Sequence, residues 1–468
     1  MKKDETEAAD RSANAQSHVH AVRIIEVEPF FSVERPSGVF SSGATTAGDL
    51  TFAHVRVRVA DRAGRTADGW GAILLSYPWA FPGTGLSGEA KDQIMRAIIG
   101  MAGNLLVGDE TYGHPLDHFL AIKPELGEIA IGRGEAEPVA VPTLAALVAY
   151  SPIDAAIHDA YGKLHGISSY DALGPDHVGW DLSHVLGDSF AGRYLPEFLR
   201  SEPVDSLPIL HTVGTDDPLT PLEQGDSAYH CLTDWITIDG VHAFKVKLRG
   251  RDLEWDISRL VNVYETASDS VGLAGAVRIT GDLDEQGPPL SYIVALLDGV
   301  ASRSPDAFAA LDALEQPASR DLDARTIDLS SVSKRVPIVL DEGLTSLAAI
   351  DRAVALGWNG IALTTSKTRS LMLLALAKAT ALGLHVSVQD LTNPGIALLQ
   401  SVGLAARMPR TVPMESNQRQ YLPATSRPEA AVYPWIFAVR DGAVPSSEVA
   451  GPGLGYGDLK RIGRDIFS

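Results

Sequence analysis

The sequence is poor in cysteine: Cys231 is the one thiol among 468 residues. An intramolecular disulfide is therefore excluded, which suits a reducing compartment. A lone Cys231 reads better as a buried or incidental thiol than as a nucleophile. No apolar run approaches the length of a membrane span. The first residues, MKKDETEAADRSANAQSHVH, lack the apolar core of a secretory signal. The expectation is a cytoplasmic protein with no membrane partner, whose residues 1–20 form a disordered polar tail. Basic residues are also scarce, 39 Lys and Arg against 59 Asp and Glu, for a formal net charge of −20. That balance speaks against nucleic acid, whose phosphates would be repelled. It leaves room for a small anionic substrate, because a local cation or a metal can dominate a site.

What is present is ordinary globular material, 45% hydrophobic and 21% charged. The length favours two domains. From about Val22 to Leu75 the pattern is strand-like. His54 to Val59 alternate, DRAGR turns, and the alternation resumes, as in a hairpin. Helical stretches such as KDQIMRAIIGMAGNLL follow, so this part reads as an α+β unit. Two loops rich in aromatics and glycine flank the hairpin, PFFSVERPSGVFSSGATTAG and SYPWAFPGTG. Such loops face ligands as often as they merely connect. SPIDAAIHDAYGKLHG is an amphipathic helix, with Ser151 as a candidate N-cap before a proline. Residues 167–207 have poor periodicity and read as an insertion.

After that the rhythm changes. LPILHTV, AFKVKL, AVRIT, FAALDAL, VPIVL, GIALT, LHVSVQ and TVPM are short apolar runs, and helical patterns separate several of them. Alternation of this kind means βαβ units, and about eight strands suggest a closed (β/α) barrel. The glycine cluster GPGLGYG near the end is a turn and not a nucleotide loop, because it does not join a strand to a helix inside a βαβ unit.

The run FKVKLRG puts Lys245 and Lys247 on one face of a strand. By itself this is the solvated face of an edge strand. The next strands change that reading. AVRIT is followed by GDLDEQ, with Asp282 and Asp284. FAALDAL leads to EQP, with Glu315. VPIVL leads to DEG, with Asp341 and Glu342. Each carboxylate alone is commonly a turn or cap residue. Three in register at the catalytic ends of barrel strands converge on one mouth, where bare carboxylates need a counter-charge. An oxygen-only ligand set suits Mg²⁺. In this arrangement the two lysines flank the metal, and a lysine next to another cation, partly shielded from water, has its pKa lowered toward neutrality and can act as a base.

In this order and spacing the motifs resemble the enolase superfamily, in its mandelate racemase and muconate lactonizing enzyme branch. KVK matches the K-x-K motif, DLDEQ the D-x-N motif with Asp284 in place of asparagine, and LEQP and LDEG the second and third metal-ligand motifs. SPIDAAIHDAYGK looks like the helix that leads into the barrel, and RDGAVPSSEVAGPGLG like the segment that returns to the cap. The resemblance implies an α/β fold: a (β/α)7β modified TIM barrel at 151–425, an N-terminal α+β capping domain at 21–150 and a returning segment at 426–468. It implies Mg²⁺ on Asp282, Glu315 and Asp341, and abstraction of a proton α to a carboxylate through a metal-stabilised enediolate. Lys247 would be the base, and Lys245 would neutralise the developing oxyanion. Such barrels are commonly homo-oligomers acting on small carboxylates.

The match departs at the second acid or base. Thr364 stands where a lysine follows the sixth strand, with Lys367 three residues on. Gln389 and Asp390 end the seventh strand, and His385 sits at its wrong end. Lys367 and Asp390 remain candidate acid/base groups. Glu415 matches a glutamate that bonds the substrate carboxylate, with pairing to Arg419 as the alternative. Glu342 is expected behind the ligands, orienting a lysine. His211 reads as core packing rather than pocket lining. A base on one face favours a syn elimination, hence a lyase that dehydrates a hydroxylated, sugar-type acid. A racemase, epimerase or cycloisomerase is the alternative, and a non-catalytic metal-binding barrel the third.

Overall fold

The computed structural model describes residues 19–36, 41, 42, 45, 46, 48–133, 136–224, 230–271, 277–324 and 326–457. The expected polar tail up to residue 18, and part of the first aromatic loop, lie outside the described residues.

Three antiparallel strands open the fold: β1 (Val22–Glu34), β2 (Leu50–Asp61) and β3 (Thr66–Leu74), in that spatial order. The period-two pattern of β2 decides its two faces. Val55, Val57 and Val59 are buried. Arg56 and Arg58 alternate with them and pair with Glu28 and Asp68, each at 2.6 Å. The predicted turn is there, with Asp61 Oδ1 accepting from the amides of Ala63 and Arg65 at 2.9 Å. A short helix α1 (Tyr77–Ala80) and two longer ones, α2 (Gly88–Gly108) and α3 (Pro115–Gly127), follow.

Helix α4 (Thr143–His165) lies against β3. Its backbone comes so close that a Cβ at Gly69 would stand 2.2 Å from Ala156 O, so the strand needs glycine there. Ser151 does not cap this helix. It sits inside it, and Pro152 does not break it. Proline lacks the N–H that would bond the carbonyl four residues back. That carbonyl, Val148 O, instead accepts from Ser151 Oγ at 2.9 Å. The Ser-Pro pair therefore continues a helix that the capping reading would begin.

Eight parallel strands then close a barrel: β4 (Ser206–Val213), β5 (Ala243–Lys247), β6 (Arg278–Asp282), β7 (Leu311–Glu315), β8 (Ile338–Leu340), β9 (Gly360–Leu363), β10 (His385–Val388) and β11 (Met414–Glu415). Each pairs with the next, and Met414 opposite Ile209 brings β11 back to β4. Of the run FAALDAL, Phe308 and Ala309 belong to a preceding helical turn, and only Leu311 onward is strand. Helices cover the outside. Helix α5 (Leu253–Val271), for example, turns Ile257, Leu260, Val261 and Tyr264 inward at helical spacing.

Residues 167–205 form a chain of short turns pinned by Tyr170, Leu173, Leu182, Phe190 and Phe198, all buried. Its end is fixed to the barrel by hydrogen bonds from the Arg200 amide to Arg407 O and from the Val204 amide to Ala406 O. After the barrel, β12 (Ala443–Pro445) pairs antiparallel with the start of β4. The glycine cluster then turns against α4 and the first sheet. Leu454 N donates to Asp159 Oδ1 at 2.9 Å, and Tyr456 Oη donates to Trp70 O. Gly453 has φ +73°, and a Cβ there would lie 2.2 Å from Asp159 Oδ1. This is a packed turn, as its sequence predicts. Among the described residues no helix is long and apolar enough to cross a membrane.

Candidate active site

The register of three adjacent strands builds the site. Lys247 stands opposite Asp282, and Asp282 opposite Glu315, so β5, β6 and β7 present these side chains in one row at their C-terminal ends. Lys245, two residues before Lys247, shares its inward face. Lys245 is 4% exposed, so the solvated-edge reading of the K-x-K run fails.

Lys245 Nζ lies 2.7 Å from Glu315 Oε1, 3.0 Å from Asp282 Oδ2 and 3.8 Å from Glu415 Oε2. It also donates to Gln389 Oε1 at 3.0 Å, while Gln389 Nε2 donates to Glu315 Oε2 at 2.7 Å. Gln389 thus holds the lysine and the glutamate to each other. Lys247 Nζ lies 2.7 Å from Asp282 Oδ2 and 2.8 Å from Asp284 Oδ1. Asp284, at φ +40°, turns back so that its own amide donates to Asp282 Oδ1 at 2.9 Å.

The charges shape one another. Burial pushes Lys247 down, but Asp282 and then Asp284 outweigh it, and its pKa is raised. Lys245 is likewise raised well above its usual value, by Asp282 and Glu315 against burial. In this arrangement the carboxylates, and not the neighbouring ammonium, decide the outcome. Lys245 does depress Lys247, but less than the carboxylates raise it. Burial raises the Asp282 carboxyl, yet Lys245 and Lys247 hold it well below the usual carboxylate range. Asp284 is pushed up to about 6 by burial and by the charge of Asp282. Glu315 and Glu342 both rise well above their usual value, through burial and crowding by other carboxylates.

The remaining predicted residues divide into those that join this cluster and those that do not. Lys367 is fully buried, and its Nζ lies 2.6 Å from both Asp341 Oδ1 and the Asp341 carbonyl. Thr364 is buried and bonded to Ser366 Oγ at 2.6 Å, a local turn that offers no base. Asp390 is buried and accepts from Ser401 Oγ at 3.1 Å, and its pKa is raised by burial and by Glu415. Glu415 accepts from Thr212 Oγ1 at 2.7 Å and from the Asp390 amide at 3.1 Å. Arg419 pairs with Asp239 instead of Glu415. Glu342 accepts a bond not from a lysine but from Trp79 Nε1, at 3.0 Å. His385 starts β10, beside Gly360 at the start of β9, and so lies at the far end of the barrel. His211 is packed near Trp235 and pushed down to about 3 by burial and by Arg419. Cys231 is buried.

Two residues escaped the sequence reading. Trp79 comes from α1, inside the second aromatic loop, and its ring lies 5.6 Å from Lys367 Nζ. Composition marks the loop, but nothing local singles out Trp79. Tyr421 follows β11. Its phenol is raised by burial, then by Asp217, and it feels the charges of Lys247 and Asp284. A cavity of about 450 Å³ lies at the seam between the end of β1 and the chain after β11, lined by Glu34, Arg35, Leu422 and Thr425 among others. None of the lysines or carboxylates of the cluster lines it.

The donor set suits a divalent cation in charge and chemistry. Asp282, Asp284, Glu315, Asp341, Glu342 and Glu415 gather around three lysines, and Glu342 Oε2 is a buried oxygen without a hydrogen-bond partner. Oxygen donors with excess negative charge are what Mg²⁺ takes. In the present arrangement, however, no three His, Cys, Asp or Glu groups among the described residues stand close enough to share an ion. The ammonium groups of Lys245 and Lys367 occupy oxygens that such an ion would use.

Residues 232–457 match the sequence model of the enolase C-terminal domain-like family. The matched segment carries the barrel from β5 onward, and it resembles the enolase superfamily in its mandelate racemase and muconate lactonizing enzyme branch. Solved structures of the superfamily share its fold over nearly the whole length. Muconate lactonizing enzyme from Pseudomonas putida is 18% identical, with TM-score 0.57, covering 92% of this chain and 96% of its own. A superfamily member from Roseovarius nubinhibens ISM, complexed with magnesium, is 20% identical with TM-score 0.59, covering 95% and 98%. 2-Chloromuconate cycloisomerase from Rhodococcus opacus 1CP is 16% identical with TM-score 0.59, covering 94% and 98%. No curated protein matches the sequence.

Proposed function

We propose that this chain is an enolase-superfamily enzyme that removes the proton α to the carboxylate of a small acid, and that its overall reaction is dehydration of a hydroxylated, sugar-type acid. The observation that carries this reading is the position of Lys247, at the barrel mouth between Asp282 and Asp284. Beside it stands the lack of a free second lysine at the end of β9: Thr364 stands where the family resemblance implies a lysine, and Lys367 is bound to Asp341.

Asp282, Glu315 and Asp341 would hold Mg²⁺, which when bound supplies positive charge to the substrate carboxylate. The chain's own residues do the rest. Lys247 starts as an ammonium held by two carboxylates, so losing its proton is coupled to whatever engages them. Once neutral, its Nζ takes the α-proton. Lys245, kept charged by its neighbours, stabilises the negative charge that then develops on the substrate carboxylate. The new Lys247 ammonium gives its proton to a β-hydroxyl on the same face, which leaves as water. The enol that remains becomes a 2-keto acid.

A second reading, a cycloisomerase, is favoured by the names of two of the similar structures. It too needs one proton transferred next to a carboxylate by one group. Incubation with a panel of sugar acids and unsaturated dicarboxylic acids separates the two. A 2-keto acid, trapped as its semicarbazone, supports dehydration. Lactone formation without any keto acid overturns it in favour of the second reading.

A further inference from the structure

Lys367 is a buried cation beside the cluster that the proposed reaction leaves without a task. It is fully buried, on the turn after β9, and spends its charge on a single residue. Its Nζ is 2.6 Å from Asp341 Oδ1 and 2.6 Å from the Asp341 carbonyl. On its other side is the ring of Trp79, at 5.6 Å. Two hydrogen bonds to one residue and an aromatic wall fix the ammonium firmly. It therefore does not reach toward a substrate as a second base would.

Asp341 is one of the three carboxylates offered to Mg²⁺, and its neighbour Glu342 has a buried oxygen with no partner. A divalent ion arriving there meets a carboxylate already neutralised by an ammonium. We propose that Lys367 is an internal counter-cation for Asp341. It holds Oδ1, leaves the metal the other oxygen, and lowers the affinity of the site for divalent cations. This rests on the metal reading above. Lys367 is in this sense a positioning residue: it keeps Asp341 in place in the metal-free protein, and does so at the expense of metal affinity. The sign follows from two effects that act together. Removing the ammonium ends its repulsion of the incoming ion. It also leaves a buried carboxylate uncompensated, which binding a cation relieves.

The test is a titration of the chelator-treated full chain with Mn²⁺, read from the resonance of the free ion, for the wild type, Lys367→Met, Lys367→Gln and Asp282→Asn. One site that Asp282→Asn weakens identifies the carboxylate centre. Lys367→Met should then bind at least about tenfold more tightly, a modest share of the repulsion between an ammonium and a divalent ion. Lys367→Gln, which keeps a donor but no charge, should move the same way. Unchanged or weaker binding in both variants overturns the proposal and leaves Lys367 a mere brace for Asp341. No binding by wild type or variants overturns the metal reading itself. Binding by the variants alone supports the counter-cation. Should Lys367→Met not fold without metal, thermal unfolding decides. Recovery of folding by Mn²⁺ supports the proposal. If Mn²⁺ does not restore it and Lys367→Gln binds as the wild type does, the proposal fails.

Discussion

Replacing Lys245 with methionine removes the cation that ties β5, β6 and β7 together. The ammonium is 4% exposed and faces two carboxylates at 2.7 and 3.0 Å, with Gln389 Oε1 at 3.0 Å. Methionine fills much of the same volume, so the main loss is electrostatic. Deleting one partner of a buried ion pair costs about 3–5 kcal/mol, mostly because the other charge stays buried and alone. Lys245→Met should therefore destabilise the chelator-treated protein by roughly that amount, measured by urea unfolding followed by near-ultraviolet circular dichroism. Glu315 is the partner whose charge is then stranded. Adding Glu315→Gln should recover about 1–2 kcal/mol in the Lys245→Met background, although it destabilises the wild type. A loss below about 1 kcal/mol for Lys245→Met would refute the reasoning. So would an equal penalty from Glu315→Gln in both backgrounds.

Two further outcomes follow from the packing. Gly453→Ala places a side chain at φ +73°, 2.2 Å from Asp159 Oδ1, and should cost about 2 kcal/mol or more. Thermal unfolding and faster proteolysis of the C-terminal segment would register it. His211, buried and pushed down to about 3, has a folded pKa below its unfolded value. Its contribution is complete above about pH 6.5 and is lost as pH falls toward 3. The slope approaches about 1.4 kcal/mol per pH unit. Stability measured between pH 7 and 5 should fall less steeply in His211→Gln than in the wild type; equal slopes would contradict the assignment.

The barrel and its row of acidic strand ends were legible because both rest on short-range rules. A strand alternates its faces, so Lys245 and Lys247 had to point the same way. A parallel barrel collects the ends of its strands, so Asp282, Glu315 and Asp341 had to gather. What escaped depends on distances between remote segments. Trp79 and Glu342 meet across 263 positions, and no local pattern announces it. Lys367 looked like a base by position, yet its partner was decided by which oxygens lay within reach. The sequence shows a second lysine near Lys247 but not that carboxylates stand at 2.7 and 2.8 Å from it, and these raise its pKa in the protein alone. Ser151 before a proline looks like the start of a helix. Only the buried surroundings of α4 make the same pair an interior repair.

The central claim is that Lys247 moves a proton next to a carboxylate. Proton NMR of α-hydroxy, sugar and N-acyl amino acids, incubated with the protein in D₂O with and without Mg²⁺, tests it most directly. The account predicts that the α-proton signal of at least one sugar-type acid disappears only with Mg²⁺, and that Lys247→Ala, still binding metal, abolishes the exchange. Exchange that persists undiminished in Lys247→Ala would contradict it.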